Sequence, residues 1–129
     1  MTNSKQKGAR MERLVASMFR DYGYDARRSA QYCGNTGDAA DLSNVPYLHC
    51  ECKHQEQFRI YDWMAQAVHD SQKSGNIPTV IFKKNNHEVL VTMRFDDFMK
   101  LYKEYEASVT FGHCMNPPEG AEDGKSNDS

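Results

Sequence analysis

Asp41, Glu51 and Lys53 are the residues of this chain whose types and spacing can do chemistry. They form the pattern Asp-x9-Glu-x-Lys, with the Glu and Lys in the segment Pro46–Lys53 (PYLHCECK). In an extended strand, side chains alternate between two faces. Glu51 and Lys53 then share one face, and Cys50 and Cys52 the other. A charged pair on an otherwise apolar strand needs a partner, because burying charge is costly unless it is paired or bound to metal. Two carboxylates, Asp41 and Glu51, can hold a hard divalent cation, and a neighbouring lysine can orient or deprotonate a water.

The elements that must position these groups follow from periodicity. Met11, Leu14, Val15, Met18, Phe19 and Tyr22 recur at helical spacing, which predicts an amphipathic helix over Lys5–Tyr22. Ser4 is its expected N-cap and Gly23 its stop. Tyr24–Ser29 reads as a short strand and Gln31–Ala40, with three Gly/Asn positions, as a flexible loop. Asp41–Ser43 starts a second strand, and Asn44-Val45-Pro46 turns it back into a strand over Tyr47–Lys53. Ile60, Trp63, Met64, Ala67 and Val68 predict a second helix, ended by Gly75-Asn76. Thr79–Phe82 suits a buried strand, and Asn85-Asn86 a hairpin turn into Glu88–Met93. Phe95, Phe98, Met99, Leu101 and Tyr102 predict a last helix. The order αβββαββα implies an α/β (α+β) layered domain with a central mixed sheet flanked by helices.

The chain has 129 residues, enough for one domain with a real core. Residues 1–115 are expected to form that domain, and 116–129, rich in Pro, Gly, Asp and Ser, a disordered acidic tail. The ten N-terminal residues contain no apolar stretch, and no run is long enough to cross a membrane, so a cytoplasmic location is expected. The net charge of −2 hides an asymmetry. Residues 1–28 carry seven Lys/Arg against three acids, a balance of +4, whereas the tail from Asn116 carries four acids against one lysine, a balance of −3. A basic front end suits a phosphate backbone, and it equally suits a solvated helix face.

Together these pieces resemble the PD-(D/E)xK nuclease superfamily, and within it the small Holliday-junction resolvases of archaea and phages. The matching segments are Lys7–Glu12 (KGARME), the Gly23-Tyr24 step followed by Arg27-Arg28-Ser29, the Asp41-Leu42 pair, Glu51-Cys52-Lys53, and Gln66 on the following helix. The resemblance implies a restriction-endonuclease-like core and Mg²⁺-dependent cleavage of four-way DNA junctions, with Mn²⁺ able to substitute. It implies a metal site built from Asp41, Glu51, Glu12 and the backbone carbonyl of Cys52. Lys53 would position or activate the attacking water, and Gln66 would help to orient the site. Lys7, Arg10, Arg27, Arg28 and Ser29 would contact DNA. Symmetric incision of a junction implies a homodimer, working in a host cytoplasm if the chain is phage-encoded. The family's proline before the aspartate is Ala40 here. Asp38 is a competing ligand, but Asp41 is preferred because apolar Leu42 follows it.

Other patterns weigh less. His49, Cys50, Cys52 and His54 invite a zinc reading, but alternation leaves His49 on the Glu51 face and the other three opposite. Cys-x-Cys is also not the usual zinc spacing. Free buried thiols are the expectation for Cys50 and Cys52, and a helix-core role for Trp63.

Overall fold

The computed structural model describes residues 4–29 and 39–112. Asp38, most of the expected Gln31–Ala40 loop, Cys33, Cys114 and the acidic tail lie outside the described residues. The chain divides into two compact units, residues 1–94 and 95–129.

In the first unit, helix α1 spans Ser4–Asp21. Of its periodic apolar positions Met11 and Val15 are buried, together with Ala16, whereas Leu14, Met18 and Tyr22 are exposed; the helix stops where Gly23 adopts a φ of +99° and its N–H bonds to the Arg20 carbonyl. A left-handed φ at this point suits glycine, which lacks the Cβ that would clash. Strands β1 (Arg27–Arg28) and β2 (Leu42–Ser43) pair antiparallel. Strand β3 (Leu48–His54) runs parallel to β4 (Ile77–Lys83), with helix α2 (Ile60–Asp70) as the crossover. Strand β5 (Leu90–Thr92) pairs antiparallel with β4 after a turn in which Asn86 takes a φ of +61°. The sheet β3-β4-β5 is therefore mixed, as the element order implies.

Apart from shifts of one or two residues at the ends of β2, β3, β4 and β5, three features differ from the sequence reading. The first strand is two residues, not six. The second does not return as a ladder partner of the third; it pairs with β1 instead, and the backbone bond from Asp41 N–H to the Cys50 carbonyl (2.8 Å) ties it to β3. Helix α2 ends at Asp70, before Gly75, because the chain leaves it through the turn Ser71–Gly75.

The alternation of β3 is realised in its packing. Cys50 and Cys52 are buried with Met11, Val15, Ala16, Leu42 and Ile81 against α1. On the other face of the sheet, Val80 and Phe82 pack with Trp63 and Ala67 of α2, and Phe58 lies edge-on to Phe82 at 5.0 Å. Met11 is 1% exposed at the centre of the first cluster. Met11→Ala is expected to cost about 2–5 kcal/mol, measured as a shift in the urea midpoint at unchanged m-value.

The second unit contributes helix α3 (Phe95–Phe111). Its Phe98 and Tyr102 rings stack at 5.9 Å, and Phe95, Phe98, Leu101, Tyr102, Tyr105 and Val109 are all exposed.

Candidate active site

Glu51 occupies the middle of β3, opposite Val80 of β4, and is 8% exposed. A carboxylate so deep in a sheet requires compensation. It finds one on its own strand face: the His49 ring, two residues earlier, places Nε2 2.8 Å from Glu51 Oε2. Lys53, two residues later, shares that face and is partly exposed.

Asp41 stands immediately before β2, and three hydrogen bonds fix it. Its N–H donates to the Cys50 carbonyl at 2.8 Å, its carbonyl accepts from Ser29 N–H at 2.9 Å, and its Oδ2 accepts from Cys52 N–H at 2.8 Å. The free edge of β3 is thus closed by one aspartate. In a strand, the N–H and C=O of one residue point to the same side. The Cys52 carbonyl therefore faces the same edge as the N–H that Asp41 holds.

Glu12 comes from the exposed-to-buried border of α1, one residue after buried Met11. Its Oε1 accepts from Arg28 Nε at 2.8 Å. That ion pair gives β1 a role that its sequence alone does not reveal, since it joins an expected DNA-contacting arginine to an expected metal ligand.

Glu12, Asp41, Glu51, Cys52 and Lys53 line one cavity of about 550 Å³, together with Ser4, Lys7, Gly8, His54, Gln55 and Glu56. Of the residues singled out from sequence, Gln66 does not line it; its amide instead donates to Asp70 Oδ1 at 2.9 Å. Lys7 reaches the cavity wall, 3.9 Å from Glu56. Arg10 and Arg27 are exposed, Arg27 against Asp25 at 2.9 Å, and Ser29 is held by its backbone bond to Asp41. His49 and Asp70 were not among the site residues expected from sequence. Asp70 carried a legible signal: it lies three residues after Ala67 and seven after Trp63, on the buried face of α2.

The electrostatics of the cavity favour a cation. Burial, then the charge of Glu51 and, less, that of Glu12, push the Asp41 carboxyl up to about 7, against the opposing Cys52 N–H and Lys53. Burial and the charges of Asp41 and Glu51 push the Cys50 thiol up to about 12 and raise that of Cys52 as well. Both cysteines are free and buried, so they are inert core groups rather than thiolate ligands. Burial lowers the His54 pKa, and the charges of Lys7 and Lys83 act in the same direction. The carboxylates that line the cavity are Glu12, Asp41, Glu51 and Glu56, while the three described residues whose ligand-type atoms come within 4.8 Å of one another are His49, Glu51 and Asp70. Carboxylate oxygens of this kind suit a hard divalent cation rather than a soft, thiolate-seeking ion.

No curated protein sequence matches this chain significantly. The solved structure of Hjc, a Holliday junction resolvase from the archaeal hyperthermophile Archaeoglobus fulgidus, is similar with a TM-score of 0.52. The two share 21% identity over 67% of this chain and 76% of that one, a likeness of fold. The common architecture is the restriction-endonuclease-like mixed sheet with flanking helices. A family described as "Phage putative PDDEXK endonuclease" matches residues 3–117, nearly the whole sequence and every element that lines the cavity. On that match over most of its length, this chain belongs to the PDDEXK endonuclease family.

Proposed function

We propose that this protein is a Mg²⁺-dependent, structure-selective DNA endonuclease that hydrolyses phosphodiester bonds at four-way junctions, with Mn²⁺ able to replace Mg²⁺. The observation that carries this reading is the convergence of Glu12, Asp41, Glu51, Cys52 and Lys53 on one open cavity, from a helix, a strand end and a strand. Junctions are favoured as substrate by the fold shared with the archaeal resolvase.

The chain's own groups divide the work. A divalent ion held by Asp41, Glu51, the Cys52 carbonyl and Glu12 would neutralise charge on the scissile phosphate and lower the pKa of a bound water. Asp41 is preset for this, because Cys52 N–H occupies only its Oδ2. Lys53 sits on the Glu51 face of β3, where its ammonium can hold the attacking water in line, or its neutral amine can take the water's proton. Glu12 is oriented by Arg28, so a DNA phosphate that engages Arg28 also bears on the acid beside it. Lys7 on the cavity wall, with Arg10, Arg27 and Ser29 further out, supplies backbone contacts that carry no base information. Gln66 acts on the site indirectly, through Asp70.

Two symmetric cuts need two sites, so the working form is a homodimer. The exposed apolar side chains of α3 and the exposed Leu90 and Val91 of edge strand β5 are surfaces of the kind such contacts use. No helix among the described residues is long and apolar enough to cross a membrane, which is compatible with action on DNA in the cytoplasm.

The test is a panel of labelled four-way junction, flap, nicked and linear duplex DNAs, with and without Mg²⁺. Wild type is expected to make paired, Mg²⁺-dependent incisions in the junction, and Glu51→Ala to make none. Equal cutting of linear duplex would remove the junction claim while leaving the nuclease; salt-sensitive binding without any cleavage would remove both.

A further inference from the structure

Two residues around Glu51 are costly choices for their positions. His49 is a titratable ring buried in a β-strand, 4% exposed. Asp70 is a buried carboxylate, 7% exposed, on the last residue of α2, where the helix dipole disfavours negative charge. Both converge on the same carboxylate. His49 Nε2 lies 2.8 Å from Glu51 Oε2, and one ligand-type atom from each of His49, Glu51 and Asp70 falls within 4.8 Å of the others.

Such a trio has the composition of a metal site, but its hydrogen bonding favours another role. Asp70 Oδ1 already takes the Gln66 amide at 2.9 Å and lies 3.1 Å from His69 Nδ1. The ring of His49 is engaged with Glu51. A carboxylate that ligates a metal is deprotonated and only accepts, so in the metal-bound site the Nε2 that faces Glu51 is the donor. One oxygen of Glu51 is thereby tied to its own strand, while the residue lines the cavity that Glu12 and Asp41 share.

We propose that His49 is a positioning residue for the nuclease site: its Nε2–H fixes the Glu51 carboxylate so that a single oxygen is presented to the divalent ion. The inference rests on the nuclease reading and adds to it a residue that touches neither ion nor DNA. Asp70, anchored by Gln66, brings a carboxylate oxygen within 4.8 Å of this pair, which gives Gln66 its place beside the site. Outer groups that orient ligating carboxylates typically contribute about 10–100-fold to metal affinity or activity.

The test measures Mn²⁺ binding to the DNA-free full chain by electron paramagnetic resonance, and the Mg²⁺ concentration for half-maximal junction cleavage. His49→Ala is expected to raise both midpoints by about 10–100-fold, with the cleavage rate at saturating Mg²⁺ reduced only a few-fold. His49→Gln, whose amide nitrogen can reach the place of Nε2, is expected to restore both midpoints to within about three-fold of wild type. His49→Asn, whose amide stops short, is expected to behave as His49→Ala. Thermal unfolding identifies any variant that has lost its fold, and His49→Gln carries the test if His49→Ala has.

Unchanged midpoints in His49→Ala would overturn the proposal. So would a His49→Gln protein as impaired as His49→Ala that binds one ion fewer than wild type, since His49 would then be a ligand. Failure of the nuclease reading looks different: Glu51→Ala would keep its Mg²⁺-dependent cleavage, or wild type would have none.

Discussion

Asp41→Asn is expected to stabilise the metal-free protein at pH 8 while abolishing cleavage. The Asp41 carboxyl titrates near 7 in the folded chain against an ordinary value of 3.8, chiefly because it is buried and faces Glu51. Between those two pH values the folded state binds more protons than the unfolded state. Stability of the metal-free protein therefore falls as pH rises from about 4 to about 7, and the whole penalty is present above that. A shift of this size corresponds to at most ~4 kcal/mol, since each unit is worth about 1.36 kcal/mol. Asparagine keeps an oxygen for the Cys52 N–H but carries no charge, so it removes most of the penalty. The expected signature is a melting temperature several degrees above wild type at pH 8, on the order of 4–8 °C per kcal/mol for a domain near this size. The difference should shrink toward pH 5, where wild-type Asp41 is itself protonated. Added Mg²⁺ should reverse the ranking by stabilising wild type alone. A lower melting temperature for Asp41→Asn at pH 8 would show that the carboxylate is held by favourable contacts rather than crowded by its neighbours.

Lys53→Ala is expected to separate binding from chemistry. Lys53 lies on the Glu51 face of β3, opposite Phe82 of β4, and lines the cavity without being a metal-ligand type. Its removal should lower the single-turnover cleavage rate by about 10²–10⁴-fold, the range for loss of a positioned acid or base. Mn²⁺ binding should be retained or slightly tightened, because one positive charge leaves the neighbourhood of three carboxylates. Junction affinity in Ca²⁺, measured by gel shift, should change by no more than a few-fold. Cleavage within about ten-fold of wild type would take Lys53 out of the reaction and leave water activation to the ion alone.

Periodicity made much of the fold legible. The helical recurrence from Met11 to Tyr22 marked α1 itself, although only Met11 and Val15 of its six positions are buried and Leu14, Met18 and Tyr22 are exposed, and Gly23 marked its end to within two residues. The alternation of LHCECKH divided β3 as the structure does, cysteines toward α1 and Glu51 toward the α2 side. Asn85-Asn86 foretold the turn between β4 and β5. These features were readable because they arise from sterics within a few residues: 3.6 per turn in a helix, 2 in a strand, and a left-handed φ that glycine and asparagine tolerate.

Local periodicity was enough to give the set of elements and the face of β3 on which Glu51 and Lys53 lie. The tertiary structure alone decided which charges meet. Only packing turned β2 toward β1, brought Arg28 onto Glu12 across sixteen positions, and set the Asp41 carboxylate on the Cys52 N–H. It also joined His49 to Glu51 and drew Gln66 away to Asp70. The distinction has a physical cause. Periodicity reports where a side chain points relative to its own backbone, whereas hydrogen bonds between elements depend on angles and offsets of a few ångströms that arise when separate hydrophobic faces are buried together.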